Sequence, residues 1–319
     1  MTAEAKTWPD RQEFRPASEL RSGIEVIDPS FKKLVGDNAK LEKHFSGTEW
    51  SEGAVFVPSL NSVIWSDIPN NRMLRYDAGT GDTTVYREPC NFTNGHTLDL
   101  QGRIVSCEHQ AHRVSRTEKD GTVTGLVDRY EGKRLNSPND LVVKSDGTIW
   151  FTDPPYGILS NREGTARESE IGANHVYRFD PATNKLTIAS DKFDRPNGIC
   201  FSPDESILYV ADTGEARMLY ACDVSADGKT ISEPREFFAV RPGAPDGFRV
   251  DVHGNIWTSA MDGIHCITPG GKLIGKVLVP EQRVANCCWG GPNWDRLYIA
   301  GDTSLYSIQL AVKGAHQRG

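Results

Sequence analysis

No stretch of this 319-residue sequence approaches the ~18 consecutive apolar residues that a membrane-spanning helix needs. The first sixteen residues, Met1 to Pro16, are polar and charged and lack the apolar centre of a secretory signal. Neither membrane insertion nor export is expected, and the reading places the protein in the cytoplasm. Also missing is any basic block: 36 Lys and Arg stand against 43 Asp and Glu, a formal charge of −7. An acidic surface repels phosphate backbones, which sets nucleic acid aside as a partner. There is no C-x-x-C pair among the seven cysteines, most of which lie inside apolar runs and read as small buried hydrophobes. Adjacent Cys287 and Cys288 suit opposite faces of one strand better than a redox pair. G-x-S-x-G, a Walker loop and G-x-G-x-x-G are absent, leaving serine hydrolase, nucleotide and dinucleotide readings without support. Only 4 Met and no long helical periodicity argue against a helical bundle.

What the chain has is turns and aromatics: 30 Gly, 18 Pro, 7 Trp and 9 Tyr. These residues fall into an internal repeat. Six segments open on a polar residue, usually followed by a small one, and then an apolar run. They begin at Glu52 (EGAVFV), Asn94 (NGHTLDL), Asn139 (NDLVV), Asn197 (NGICF), Asp246 (DGFRV) and, more loosely, Asn286. A second apolar run follows in each, and in five of them it ends on an acid at a nearly fixed distance. The pairs are Glu52 with Asp67, Asn94 with Glu108, Asn139 with Asp153, Asn197 with Asp212 and Asn286 with Asp302. Third and usually fourth runs complete each unit, with Asp120-Gly121, Asp227-Gly228 and Gly270-Gly271 supplying turns. Four short strands per unit of roughly 40–50 residues predict an all-β, six-bladed propeller with four-stranded blades.

The propeller is expected over residues 46–312, with an N-terminal extension over 1–45 and a tail over 313–319. In the extension, Asp28-Pro29 and Gly36 bracket a short helix, and Leu41 to Phe45 is expected to pair with the last blade and remove a free sheet edge. One unit is lengthened by a polar insertion, Pro154 to Asn174, which reads equally as a rim lid or a passive surface loop.

Propeller geometry brings the starts of the six innermost strands to a ring about the axis. Glu52, Asn94, Asn139, Asn197, Asp246 and Asn286 would then form an oxygen-rich cluster suited to a hard divalent cation, Ca²⁺, Mg²⁺ or Mn²⁺. Asn-Gly and Asp-Gly are also ordinary turn dipeptides, so the repeated register carries this argument rather than any one residue. His109 and His112 form an H-x-x-H that invites zinc, but no third ligand is near in sequence, and a surface or channel-mouth role is the simpler reading.

At these residues the sequence resembles the senescence-marker-protein/gluconolactonase, or regucalcin-like, family, and its bacterial gluconolactonase branch in particular. The matching stretches include WSDIPNNRMLRY, NGHTLDLQGRIVSCEH, LNSPNDLVVKSDGTIWFTDPPYGI, RPNGICFSPDE and PDGFRVDVHGNIW. The resemblance implies a metal-dependent lactonase that opens a gluconolactone-like ring to the aldonic acid. It places one divalent metal ion, Ca²⁺ first with Mg²⁺, Mn²⁺ or Zn²⁺ as alternatives, on Glu52, Asn197 and Asp246, with Asn139 as ligand or substrate contact. Asn94, His96, His109, Arg72 and Tyr156 are the further substrate-side candidates. Ser137 stands where the regucalcin branch has a sugar-binding Arg, so that contact is missing or made elsewhere.

Water attack on the lactone carbonyl would use the cation to stabilise the oxyanion and Asp246 as general base. A phosphotriester hydrolase and a non-catalytic calcium-binding propeller are the alternatives. The expected partner is a small sugar lactone, and a homo-oligomer is compatible with the reading.

Overall fold

The computed structural model describes residues 15–37 and 39–315. The remaining parts of the expected extension and tail, 1–14 and 316–319, lie outside the described residues. Six antiparallel sheets of four or five strands form the blades, beside a two-stranded hairpin of Arg129–Tyr130 and Lys133–Arg134. Blade 1 comprises Ser51–Val57, Ser62–Asp67, Arg72–Asp77 and Thr83–Arg87; blade 2 comprises Thr93–Leu98, Ile104–Glu108, Arg113–Thr117 and Val123–Val127. Blade 3 comprises Leu141–Val143, Ile149–Asp153, His175–Asp180 and Lys185–Ser190, and blade 4 Pro196–Phe201, Ile207–Asp212, Met218–Asp223 and Arg235–Ala239. Phe248–Val250, Ile256–Ala260, Gly263–Ile267 and Leu273–Leu278 make blade 5, and Val284–Gly290, Arg296–Gly301 and Ser304–Gln309 the first three strands of blade 6.

The N-terminal segment closes the ring. Leu41–Ser46 pairs antiparallel with Ser304–Gln309 and becomes the fourth strand of blade 6. A second addition was not visible in the residue pattern: Gly23–Val26 pairs with Leu273–Leu278, so blade 5 carries five strands. Between these strands the short helix Phe31–Val35 presses a fully buried Phe31 onto blade 5. Gly275 makes room for it, since a Cβ there would lie 2.0 Å from the Phe31 ring.

Burial follows radius. The innermost strand of blade 1 is buried at every position, whereas no position of its outermost strand is fully buried. Apolar side chains gather in six clusters, one at each contact between neighbouring blades. Trp150 and Trp257 occupy equivalent places on their second strands, Trp65 lies one place further along its own, and all three are fully buried. A blade's sheet faces are thus covered by the blades on either side, which stabilises a sheet too small to fold alone.

Candidate active site

The polar residues that open each unit do not lie in turns. Glu52, Asn94, Asn197 and Asn286 lie in innermost strands, each at a register shift against the second strand. Asn94 and Asn197 fall within the unpaired gap, Glu52 and Asn286 are the paired residues at its edge, and the bulge re-aims these side chains toward the axis. Asn139 and Asp246 reach the equivalent level just before the innermost strands of blades 3 and 5. The small residue that follows has its own reason. A Cβ on Gly53 would lie 1.8 Å from the Asn94 carbonyl oxygen, and one on Gly198 would lie 2.1 Å from that of Asp246. Glycine allows adjacent innermost strands to touch backbone to backbone. Hydroxyls from second strands tie neighbours together: Ser66 Oγ donates to Asn94 O at 2.9 Å and Thr152 Oγ1 to Asn197 O at 2.7 Å.

Three of the five evenly spaced acids at the ends of second strands prove to be loop clamps rather than ring members. Asp67 accepts the N–H groups of Glu49 and Trp50, Asp153 those of Asn136 and Ser137, and Asp212 those of Asp194 and Arg195. Each fixes the segment that delivers the ring residue of its own blade. Arg72 belongs to this scaffold, with Nε on Asp67 at 2.9 Å and Nη2 on the Gly47 carbonyl.

At the ring, Glu52 and Asp246 meet from blades 1 and 5. Glu52 Oε2 accepts the Asn286 amide at 3.1 Å and the Gly53 N–H at 2.9 Å, and the Glu52 and Asp246 carboxyls hydrogen bond to each other. Burial, then the charge of Asp246, pushes Glu52 well above the usual carboxylate range. Burial likewise raises Asp246, against the hydrogen bonds from Glu52 and Asn197 that favour its ionised form. Two acids this close cannot both ionise without a compensating charge. Asn139 is buried, and among the described residues its side-chain amide has no hydrogen-bond partner. The ring therefore offers two mutually repelling carboxyls and the amide oxygens of Asn139 and Asn197. This all-oxygen set fits a hard divalent cation, whose charge would relieve the crowding. Among the described residues no three His, Cys, Asp or Glu side chains cluster to hold a metal, so a cation here depends on the asparagines.

The insertion is tied over this end of the tunnel. Its helix, Tyr156–Leu159, is anchored where Ser137 Oγ accepts the Gly157 N–H at 2.9 Å and donates to the Pro154 carbonyl at 2.6 Å. Ser137 is thus a bracket for the insertion. Beyond the helix, Arg162 pairs with Glu49 of blade 1 at 3.0 Å, and Thr165 donates to Gln110 of blade 2 at 2.7 Å. Tyr156 is buried with its hydroxyl against Thr213 Oγ1, and Glu163 adds negative field at Asp246. His109, expected at the surface or channel mouth, is fully buried: Nδ1 donates to the Glu163 carbonyl at 2.9 Å and Nε2 accepts the Asn94 amide at 3.4 Å. Burial pushes His109 down to about 4, so it is neutral near pH 7. His112 is bonded to the Asn136 carbonyl and takes no part in a metal pair.

His96 stands apart from the ring, two places further along its strand. Both its nitrogens are engaged by the Ser66 and Ser106 hydroxyls at 2.8 Å, and burial pushes it down to about 3. Two residues that the repeat did not single out also matter here. Asp140 occupies the place taken by glycine in four other units, and its Oδ2 receives Arg249 Nη1 from blade 5 at 3.3 Å. The departure from Asn-Gly to Asn-Asp is the one signal in the sequence that pointed to this buried pair.

A family profile described as "SMP-30/Gluconolactonase/LRE-like region" matches residues 50–303. The sequence is 31% identical to a gluconolactonase of Zymomonas mobilis over 91% of this chain and 87% of that protein. It is 28% identical to a pentonolactonase of Haloferax volcanii, covering 78% of this chain and 80% of that one. The structure superposes on a gluconolactonase from Xanthomonas campestris with a TM-score of 0.86 and 35% identity, covering 91% of this chain and 95% of the other. Among the described residues no helix is long and apolar enough to cross a membrane.

Proposed function

This chain belongs to the SMP-30/gluconolactonase/LRE-like family, and from that premise we propose that it hydrolyses a sugar lactone to the aldonic acid at the ring end of the tunnel. The observation that carries the reading is the meeting of Glu52 and Asp246, distant in sequence, as crowded carboxyls beside Asn197 and the unpartnered amide of Asn139. Glu52, Asn139, Asn197 and Asp246 would hold one divalent cation, Ca²⁺ first because every donor is oxygen. When bound, such an ion polarises the lactone carbonyl and stabilises the developing oxyanion.

The chain's own residues supply the rest. Asp246, ionised once its charge is compensated, takes a proton from the attacking water as the new C–O bond forms at the carbonyl carbon. The ring C–O bond then breaks, and the proton passes to the departing alkoxide oxygen, leaving a carboxylic acid and a hydroxyl. Asn139 orients the substrate with its open amide, and the insertion limits access of bulk water. Neutral His109 keeps Asn94 in place through an accepting nitrogen. Seven free, buried thiols suit a reducing compartment such as the cytoplasm.

Acid release, followed as base consumed in a pH-stat with gluconolactone and pentonolactones, tests the proposal. Chelation should abolish turnover and added Ca²⁺, Mg²⁺, Mn²⁺ or Zn²⁺ restore it selectively. Asp246→Asn should lose about 10²–10⁴-fold in kcat, the usual worth of a general base. A wild-type protein that turns over paraoxon-type esters but no lactone, or an Asp246→Asn protein of normal activity, would end the proposal.

A further inference from the structure

The tunnel contains a second cavity, on the far side of the Asp140–Arg249 pair from the ring. It has a volume of about 260 Å³, and its walls include Val55, Thr97, Cys200, Cys288 and Trp294 together with Arg249. Val55 lies three positions beyond Glu52, Arg249 three beyond Asp246 and Cys288 two beyond Asn286. At about 3.3 Å per strand residue, this cavity is centred roughly 10 Å along the tunnel from the ring.

Arg249 is the one cationic group in its lining. The guanidinium spends Nη1 on the Phe248 carbonyl at 2.7 Å and on Asp140 Oδ2 at 3.3 Å. That second contact is long for a charge-assisted bond, which ordinarily closes to about 2.7–2.9 Å. The other Asp140 oxygen accepts the Leu141 N–H at 2.8 Å, so the aspartate does not meet the guanidinium fork to fork. Among the described residues Nε and Nη2 of Arg249 carry no hydrogen bond. A planar fork with two donors to spare, facing a mostly apolar space, matches a carboxylate attached to a small apolar body. At interior packing density the cavity admits about ten non-hydrogen atoms. His96, also in the wall, has both nitrogens satisfied by serines and adds no competing charge.

We propose that this lower cavity is a second ligand site, distinct from the hydrolytic ring, that takes a small carboxylate whose head pairs with Arg249 and whose apolar body fills the tunnel. Benzoate is a probe of the right size and charge, and benzamide is its neutral counterpart. Calorimetry on the full chain should give millimolar or tighter binding of benzoate and much weaker binding of benzamide. Arg249→Met should weaken benzoate at least about tenfold, as expected when a charged hydrogen-bonding partner is lost. Thr97→Trp, which fills the cavity from a half-buried position and leaves the arginine in the chain, should abolish binding. Asp246→Asn should leave it unchanged. If Arg249→Met does not fold, the Thr97→Trp protein decides the matter. Absence of benzoate binding to the wild type, equal affinity for benzamide, undiminished binding in Thr97→Trp, or loss of binding in Asp246→Asn would each overturn the assignment.

Discussion

Replacing Gly198 by alanine tests whether the ring works through contact between backbones. The glycine does not have a left-handed φ, so alanine costs nothing through backbone conformation. The cost is steric. The new methyl would lie 2.1 Å from the Asp246 carbonyl oxygen and 2.9 Å from the Phe248 ring, against the 3.4 Å or more of ordinary contact. Relief requires the Asp246 backbone to retreat by about 1 Å, because Gly198 is held between Asn197 and the blade 4 ladder. Overpacking of this kind destabilises by about 1–3 kcal/mol. Displacing a catalytic carboxylate by about 1 Å costs about 10²-fold in rate, or about 2.7 kcal/mol of transition-state stabilisation. Thermal unfolding and lactone kcat/KM measured together on the purified variant are the assay. Gly81→Ala is the control: its φ is +82° with nothing within 4 Å, so it should lose about 1 kcal/mol of stability and no activity. A Gly198→Ala protein with kcat/KM within about twofold of wild type would refute the requirement for close approach, whatever its melting temperature.

Three further outcomes follow from the same structure. Asp212→Ala strips the acceptor from the N–H groups of Asp194, Arg195 and Gly214, and should cost about 3 kcal/mol in denaturant unfolding and weaken delivery of Asn197 to the ring. Phe31→Ala empties a fully buried position between the N-terminal helix and Trp257 and should cost about 3–5 kcal/mol, with kcat/KM of the surviving folded fraction unchanged. Burial raises Asp262, but hydrogen bonds from His265 and Lys276 outweigh it and hold the acid at about 2. A depressed folded-state pKa stabilises above the unfolded value near 3.8, and that stabilisation is lost as pH falls towards 2. Asp262→Asn should therefore be about 1 kcal/mol less stable than wild type at pH 7, allowing for solvent screening, and the gap should close below pH 4 in urea titrations. A gap that stays constant from pH 7 to pH 2.5 would contradict the assignment.

The six-unit repeat was legible because each blade solves the same burial problem. Two apolar runs beside a polar opening residue recur wherever an inner and a second strand must be buried on both faces. The closing strand at Leu41–Ser46 was legible too, since a short strand-like segment outside the repeat had one unpaired edge to meet. The fifth strand on blade 5 was not, because Gly-Ile-Glu-Val carries too few residues to show a period. The second-strand acids were visible as a spacing, but their task was not. Their partners are N–H groups, which every non-proline residue possesses, so composition gives no sign of which ones a carboxylate will cap.

By itself the amino-acid order determined the blade count, the polar residue at the head of each blade and the absence of any membrane-spanning apolar run. Tertiary structure alone decided which of those heads touch. Glu52, Asn197 and Asp246 meet while Arg72 is drawn off to Asp67, Ser137 becomes a bracket for the insertion, and Asp140 and Arg249 pair across the tunnel. Periodicity reports how a residue sits relative to its own strand. Closure of the ring sets distances between strands far apart along the chain, and those distances govern charge, coordination and proton transfer.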